Sequence, residues 1–199
     1  QRYQGTWADL KTLPTPRRDI LRSDYYSWGS IQTSRGCPMN CSFCSVTAFN
    51  GRRFRRRSLD QVIEELAQIP QKKVMLTDDN IIGHSEKDKE WAKTFFTRVA
   101  EKGIRKSFFA QGSIQFGEDP ELIRLAAAAG LRVLFIGIES INPASLKSYD
   151  KSLNLKRLMN EKYRDHISRI RRGGIAVLGA FLLGGDEDEI STFDATLQF

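Results

Sequence analysis

The chain has 199 residues, of which 40% are hydrophobic and 28% charged, and its formal net charge is +7. This balance is typical of a globular domain with its own core, and no run approaches the ~20 apolar residues of a transmembrane helix. The N-terminus lacks the apolar segment of a secretory signal, which predicts a cytoplasmic protein without a membrane partner. Since the chain starts without Met and stops inside a predicted helix, we expect it to be part of a longer protein.

Short apolar runs alternate with helical patterns along most of the chain. Residues 1–30 carry prolines and mixed charge without a sustained period and are predicted to be an interdomain linker or N-terminal extension, whereas residues 31–199 are predicted to form the core. The predicted strands lie in SWGSIQTSR, KKVMLTDDN, KSFFAQGS, LRVLFIGIES and IAVLGAFLLGG. The predicted helices lie in SLDQVIEELAQI, EKDKEWAKTFFTRVAEKG, DPELIRLAAAAG, LKRLMNEKYRDHISRIRRGG and DEDEISTFDATLQF.

This alternation predicts an α/β fold. Each helix must return the chain to the same edge, so the strands pair in parallel and form a barrel or an open, barrel-like sheet. The strands are nearly continuous in apolar residues, as expected when both faces of a sheet are covered. Polar residues follow four of the strands, at the edge where parallel sheets collect their chemistry. They are the cysteines, then Asp78, Asp79 and Asn80, then Gln111 and Ser113, then Glu139 and Ser140.

All three cysteines lie in the stretch SRGCPMNCSFCS, with the spacing C-x3-C-x2-C. A structural zinc site needs a fourth ligand, and the two histidines, His84 and His166, are far away in other predicted units; neither is assigned a role. A disulfide framework does not fit an odd number of cysteines. Thiolates at this spacing favour an iron–sulfur cluster with one iron left open to a ligand that carries its own amine and carboxylate. Zinc and a purely structural loop remain alternatives.

A run of arginines, GRRFRRRS, follows the cysteines and covers Arg52 to Arg57. Such a run can contact phosphates, or it can be a solvated loop that pairs with nearby acids. Without further basic clusters or interleaved aromatic residues, nucleic acid is a possible partner but not the expected one.

The motif CPMNCSFC resembles the C-x3-C-x-aromatic-C signature of the radical S-adenosylmethionine (SAM) superfamily. The resemblance implies a (β/α)6 barrel with parallel strands. This sequence is expected to end before the sixth strand, so the barrel it forms is partial. It also implies a 4Fe-4S cluster on Cys37, Cys41 and Cys44, with SAM on the fourth iron. Reduction by a donor such as flavodoxin or ferredoxin would cleave SAM to methionine and a 5′-deoxyadenosyl radical, which would act on a small-molecule substrate.

Within the superfamily the chain looks most like the cobalamin-binding branch, through WADLKTLPTPRRDIL, RRRSLDQVIEEL, LTDDN, AQGS, AAAAGLRVLFIGIES and GAFLLGGDED. The resemblance implies methylation or cyclisation of the substrate, with cobalamin held by a domain that this sequence does not contain. Two alternatives stay open. One is a methylthiotransferase-like radical SAM enzyme that modifies tRNA, and the other is a non-enzymatic basic module that binds a metal and nucleic acid.

The resemblance also implies which residues contact SAM, although it assigns no catalytic residue. Asp78, Asp79 and Asn80 would receive the SAM amino group; adjacent strand residues point to opposite faces, so at most one of the two aspartates is expected to face inward. Further SAM contacts are implied at the ribose and methionine end for Glu139 and Ser140, along the cavity for Gln111 and Ser113, and at the adenine for the backbones of Phe43 and Gly184.

Overall fold

The computed structural model describes residues 8–159 and 162–199. The strands are β1 (Trp28–Ile31), β2 (Ser34–Arg35), β3 (Arg55–Arg56), β4 (Lys73–Leu76), β5 (Ser107–Gly112), β6 (Leu131–Glu139) and β7 (Ala176–Phe181). The α-helices are α1 (Val46–Asn50), α2 (Leu59–Gln68), α3 (Glu86–Glu101), α4 (Pro120–Ala129), α5 (Pro143–Ser148), α6 (Ser152–Met159), α7 (Tyr163–Arg172) and α8 (Ile190–Gln198).

Five strands form one parallel sheet in the order β1-β4-β5-β6-β7, so neighbours in the chain are neighbours in space. Each of the five lies inside the segment that the sequence predicts for it. The short strands β2 and β3 pair antiparallel beside the sheet and bracket the cysteine segment. The predicted α/β fold with a parallel, barrel-like sheet is therefore confirmed.

The core lies between this sheet and the helices. Helix α2 contributes Val62, Ile63 and Leu66, and helix α3 contributes Phe95 and Phe96, all almost completely buried. Their spacing of one, three or four residues places them on one face of each helix. Within the described ranges, no helix has both the length and the apolar character needed to cross a membrane.

The fourth predicted helix, residues 155–174, is wrong as a single element. The structure instead has two helices, α6 ending at Met159 and α7 beginning at Tyr163, and residues 160 and 161 lie outside the described part. A continuous helix would place the charged Lys162 four residues after Leu158, on the face that packs on the core. A break allows the buried Tyr163 to start a second core-facing helix.

The predicted N-terminal extension packs on the core where it is described; residues 1–7 lie outside the described part. Leu10 is buried, and the Arg18 guanidinium lies 2.5 Å from the buried Glu65 carboxylate, which Arg57 contacts from the other side at 2.6 Å. The strand β1 begins at Trp28. The domain boundary at residue 30 stays a prediction.

Helix α4 ends at Gly130, which has a φ of +106°. A Cβ at this position would overlap the carbonyl oxygen of Lys106, which is backbone and cannot move aside. We therefore expect Gly130→Ala to lower the free energy of unfolding by about 1–3 kcal/mol more than Gly103→Ala, measured by chemical denaturation. Gly103 is the matched control because its φ is also positive, at +64°, but a Cβ there would meet nothing within 4 Å. Equal losses would show that the contact with Lys106 carries no cost.

Candidate functional site

One cavity opens at the carboxyl edge of the sheet, where strands β4, β5 and β6 end. Nine of the residues predicted for cluster or SAM contact line it: Cys37, Cys41, Cys44, Phe43, Asp79, Asn80, Gln111, Ser113 and Glu139. Three other predicted residues, Asp78, Ser140 and Gly184, are not part of its lining. Because the strands are parallel, residues that are far apart in sequence meet at this edge.

The three cysteines are free thiols, each half-buried, on the loop between β2 and α1. The Cys37 amide donates to the Gly51 carbonyl (3.2 Å), and the Cys44 amide closes a turn on the Cys41 carbonyl (3.1 Å). Burial is the largest effect on Cys37 and Cys41 and raises the pKa of both thiols. A cation that binds here must therefore release protons from the thiols, as iron and zinc do.

The cysteine loop rests on the turn between α5 and α6, a wall that the sequence did not predict. The Ser42 amide donates to the Tyr149 carbonyl (3.2 Å), and the Phe43 ring meets the Tyr149 ring edge-on, with centroids 5.7 Å apart. Helix α5 was missed, although Asn142 and Pro143 form a regular helix start, with the Ala144 amide donating to Asn142 Oδ1 (2.9 Å). The contacts at Tyr149 fix the loop against the turn between α5 and α6.

The two aspartates after β4 have different surroundings. Asp78 is fully buried and accepts hydrogen bonds from the Thr33 amide (3.1 Å), the Thr33 hydroxyl (2.7 Å) and the Ser34 hydroxyl. It ties the segment before the cysteine loop to the sheet. Asp79 lines the cavity, and its hydrogen-bond donor is Asn50 Nδ2 at 3.5 Å. Burial raises the pKa of both carboxyls.

Two polar atoms at the cavity are buried and have no hydrogen-bond partner among the described residues: Asn80 Oδ1 and Ser113 Oγ. The Asn80 amide nitrogen donates to the Gly83 carbonyl (2.8 Å), which fixes the side chain. A buried polar atom without a partner costs about 1–3 kcal/mol. A ligand with ammonium or hydroxyl groups removes this cost, so these two atoms fit the amine and ribose of SAM.

Glu139 ends β6 with a φ of +68° and is 8% exposed. Its Oε1 accepts a hydrogen bond from Lys151 Nζ at 2.7 Å. A Cβ at Gly137 would overlap this carboxylate, so the glycine leaves the space in which it lies. Lys151 was not singled out from the sequence, and it also lines the cavity. The carboxylate can accept from ribose hydroxyls while the lysine balances its charge.

Ser140 and Gly184 take part in local structure. Ser140 is buried, and its hydroxyl accepts a hydrogen bond from the Asn142 amide at 2.9 Å, at the start of α5. Gly184 is exposed, has a φ of +87°, and its amide donates to Asp188 Oδ2 at 3.0 Å. Their contacts with SAM stay predictions.

His84 is a residue of the site to which the sequence pattern assigns no role. It is half-buried, lines the cavity, and its Nε2 lies 3.6 Å from Cys37 Sγ. The sequence separation of 47 between the two residues hides this contact from any spacing rule. The sequence signal that points to His84 is its position shortly after the polar residues at the end of β4.

Most of the arginine run contacts the chain itself. The Arg56 guanidinium lies 4.2 Å from the Trp91 ring centroid and donates to the Ile81 carbonyl at 3.0 Å. Arg57 is 8% exposed and pairs with Glu65, and Arg55 donates to the Asn50 carbonyl (2.8 Å). Arg52 and Arg53 are exposed. The Arg52 guanidinium also donates to Asn40 Oδ1, so the geometry favours local pairing over a phosphate-binding surface for four of the five arginines.

The donor set fits a multi-iron cluster. Within residues 8–159 and 162–199, no three His, Cys, Asp or Glu side chains converge on the position of a single metal ion. In a 4Fe-4S cluster each thiolate binds a different iron, so the sulfurs surround the group. Three thiols on one loop, beside unpaired polar atoms at the carboxyl edge of a parallel sheet, define the cofactor-binding core of an enzyme.

The chain belongs to the radical SAM superfamily, whose family model matches residues 31–199. Among curated relatives, it is 35% identical to bacteriochlorophyllide d C-12(1)-methyltransferase of Chlorobaculum tepidum, over 85% of this chain and 36% of that protein. It is 28% identical to the hopanoid C-2 methylase of Rhodopseudomonas palustris, over 96% of this chain and 36% of that protein. The chain thus spans little more than a third of these relatives. The superfamily predicted from the cysteine motif is confirmed.

Solved structures share the fold. The radical SAM methyltransferase TsrM from Kitasatospora setae, with cobalamin and a [4Fe-4S] cluster bound, has a TM-score of 0.70 and 24% identity, over 88% of this chain and 33% of that one. The cobalamin-dependent SAM radical enzyme OxsB has a TM-score of 0.80 and 19% identity, over 96% of this chain and 29% of that one. The predicted partial barrel is confirmed, and membership of the cobalamin-binding branch stays a prediction.

Proposed function

We propose that the protein to which this chain belongs is a cobalamin-dependent radical SAM methyltransferase that acts on a small organic substrate. The observation that carries the proposal is the single cavity in which Cys37, Cys41 and Cys44 meet the unpaired polar atoms of Asn80 and Ser113. Methylation is favoured over cyclisation because curated relatives up to 35% identical are methyltransferases. Cobalamin would be held by a part of the protein outside these 199 residues.

When bound, the cluster supplies the electron that cleaves SAM to methionine and a 5′-deoxyadenosyl radical. The chain binds and orients its cofactors for this step. The three thiolates hold three irons, while Asp79 and Asn80 Oδ1 accept hydrogen bonds from the SAM ammonium. Ser113 and Gln111 line the path between these groups and Glu139, which accepts from the ribose hydroxyls.

The remaining contacts shield the reaction. The Phe43 backbone borders the adenine, and the Phe135 and Leu153 side chains give the cavity an apolar wall that limits access of water. Gly184 stays a proposed adenine contact, although it lies outside the cavity lining.

The partners follow from this chemistry. We propose a small one-electron donor such as flavodoxin or ferredoxin, because the cluster must be reduced before each cleavage. A cytoplasmic location is part of the proposal, since three cysteines that must stay available as thiolates need a reducing compartment. Nucleic acid is not a partner of the proposed methyltransferase.

A methylthiotransferase-like activity on tRNA is a second candidate. It is supported by the putative methylthiotransferase MJ0865 of Methanocaldococcus jannaschii, which is 26% identical over 77% of this chain and 34% of that protein. The identity is lower than that of the methyltransferases, so we place this candidate second. A non-enzymatic module with a single structural metal lacks a comparable supporting observation.

The full-length protein, purified without oxygen, tests the proposal. We expect about four irons and four sulfides per chain. Incubation with SAM and dithionite should release 5′-deoxyadenosine, and addition of cobalamin and substrate should also release S-adenosylhomocysteine. Zinc in place of iron, or an iron-loaded protein that leaves SAM intact, would contradict the proposal. A methylthiolated tRNA product would favour the second candidate.

A further inference from the structure

Both the backbone and the imidazole ring of His84 have contacts that hold the residue beside the cysteine loop. Its Nε2 atom lies 3.6 Å from Cys37 Sγ, within hydrogen-bond range for sulfur. Its amide donates to Asp88 Oδ2 (3.2 Å), a carboxylate that also caps the start of α3. The Phe54 ring meets the imidazole edge-on, with centroids 5.5 Å apart and planes at 88°. The ring position is thus fixed by a helix start and an aromatic contact.

The chemistry of the pair determines which atom is the donor. A cysteine bound to iron is a thiolate, so Cys37 Sγ accepts hydrogen bonds. A neutral imidazole has one N–H group, and the tautomer with the proton on Nε2 is the one that can donate to this sulfur. An iron bound by Cys37 in a 4Fe-4S cluster already has three sulfides and one thiolate. His84 is therefore placed to contact the ligand sulfur and not the metal.

A hydrogen bond to a cluster sulfur has a defined consequence. It stabilises the additional negative charge of the reduced cluster, and hydrogen bonds to the sulfurs are among the factors that set the reduction potential. We propose that His84 donates a hydrogen bond from Nε2 to Cys37 Sγ and raises the reduction potential of the cluster. This inference rests on the proposed function, since it requires that Cys37 binds the cluster. His84 acts through Cys37 as a positioning and tuning residue.

The test is a redox titration of the full-length protein, followed by electron paramagnetic resonance. We expect the midpoint potential to shift to a more negative value in His84→Leu, which has no donor, and to stay near the wild-type value in His84→Gln, whose amide can donate. His166→Gln is the matched control, because His166 is a buried histidine that is not part of the cavity lining. Its potential should equal that of the wild type. An iron-loaded His84→Leu protein with the wild-type potential would overturn the inference.

A second measurement covers the case in which His84→Leu does not retain the cluster. Protein labelled with 15N-histidine should show one weak 15N coupling to the reduced cluster, and this coupling should disappear in His84→Gln and persist in His166→Gln. No coupling in the wild type would overturn the inference, and a strong coupling would overturn it by showing that His84 is an iron ligand.

The outcomes separate the inference from the proposed function. If the wild type holds the cluster and cleaves SAM while His84→Leu keeps its potential, only the role of His84 is wrong. If the wild type assembles no cluster under reducing, oxygen-free conditions, the proposed function is wrong and the inference is overturned with it.

Discussion

Replacing Cys41 with Ala is expected to remove iron from the protein and to reduce SAM cleavage to the background rate. The Cys41 thiol lines the cavity together with the other two cysteines, and its loss leaves two thiolates where three irons need a protein ligand. The measurements are iron and sulfide per chain and the yield of 5′-deoxyadenosine with dithionite, all without oxygen. We expect the effect to be larger than that of any single substitution at the site outside the three cysteines.

Ser45→Ala is the matched control for this prediction. Ser45 directly follows the last cysteine, is exposed, and precedes α1 without a capping hydrogen bond from its side chain. The variant should retain the wild-type iron content and SAM cleavage. Wild-type cleavage by Cys41→Ala would show that the cluster assignment is wrong, and loss of iron in both variants would show that the loop is sensitive to any change.

The edge of the sheet could be predicted from the sequence because parallel strands must end together. Apolar runs that stop at Asn80, Ser113 and Glu139 mark three neighbouring strand ends, and the structure brings these residues to one cavity. The cysteine motif needs only local spacing, so its loop could be located without any knowledge of the fold. The bounds of helix α4 could also be predicted from the sequence, since Pro120 is its first residue and Gly130 directly follows its last.

Contacts between distant segments could not be predicted. Nothing in a local pattern indicates that His84 reaches Cys37, or that the turn after α5 supports the cysteine loop at Tyr149. The arginine run shows the same limit. Its pattern does not reveal that Arg57 pairs with a buried glutamate from α2.

A test of nucleic-acid binding must therefore replace the exposed Arg52 and Arg53, because replacing Arg57 would leave a buried charge with one partner fewer.

The pair Asp78 and Asp79 gives the second large expected effect. We expect Asp78→Asn to lower the free energy of unfolding by about 1–3 kcal/mol, because the Thr33 amide donates to both carboxylate oxygens and would face the new NH2 group whichever oxygen it replaces. The loss of stability should also weaken cluster binding, since Thr33 and Ser34 lead directly into the cysteine loop. Chemical denaturation of the iron-free protein, together with iron retention after gel filtration, measures both consequences.

Asp79→Asn is the matched variant at the adjacent position, and it should separate binding from stability. Its carboxylate has one long hydrogen bond, from Asn50 at 3.5 Å, so the free energy of unfolding should change by less than that of Asp78→Asn. A charge-assisted contact with the SAM ammonium contributes about 1.5–3 kcal/mol, which predicts a dissociation constant for SAM at least about tenfold higher. The iron content should stay at the wild-type level.

The two variants together test how the chain turns after β4. Asp78 lies against Thr33 because the segment before the cysteine loop needs acceptors for its amide and hydroxyl groups, and this contact leaves Asp79 to face the cavity. Weak SAM binding with full stability in Asp78→Asn, and loss of stability in Asp79→Asn, would show that the two side chains have exchanged roles. Unchanged SAM affinity in both variants would show that neither aspartate contacts the SAM ammonium. Asn80 would then be the remaining contact for this group.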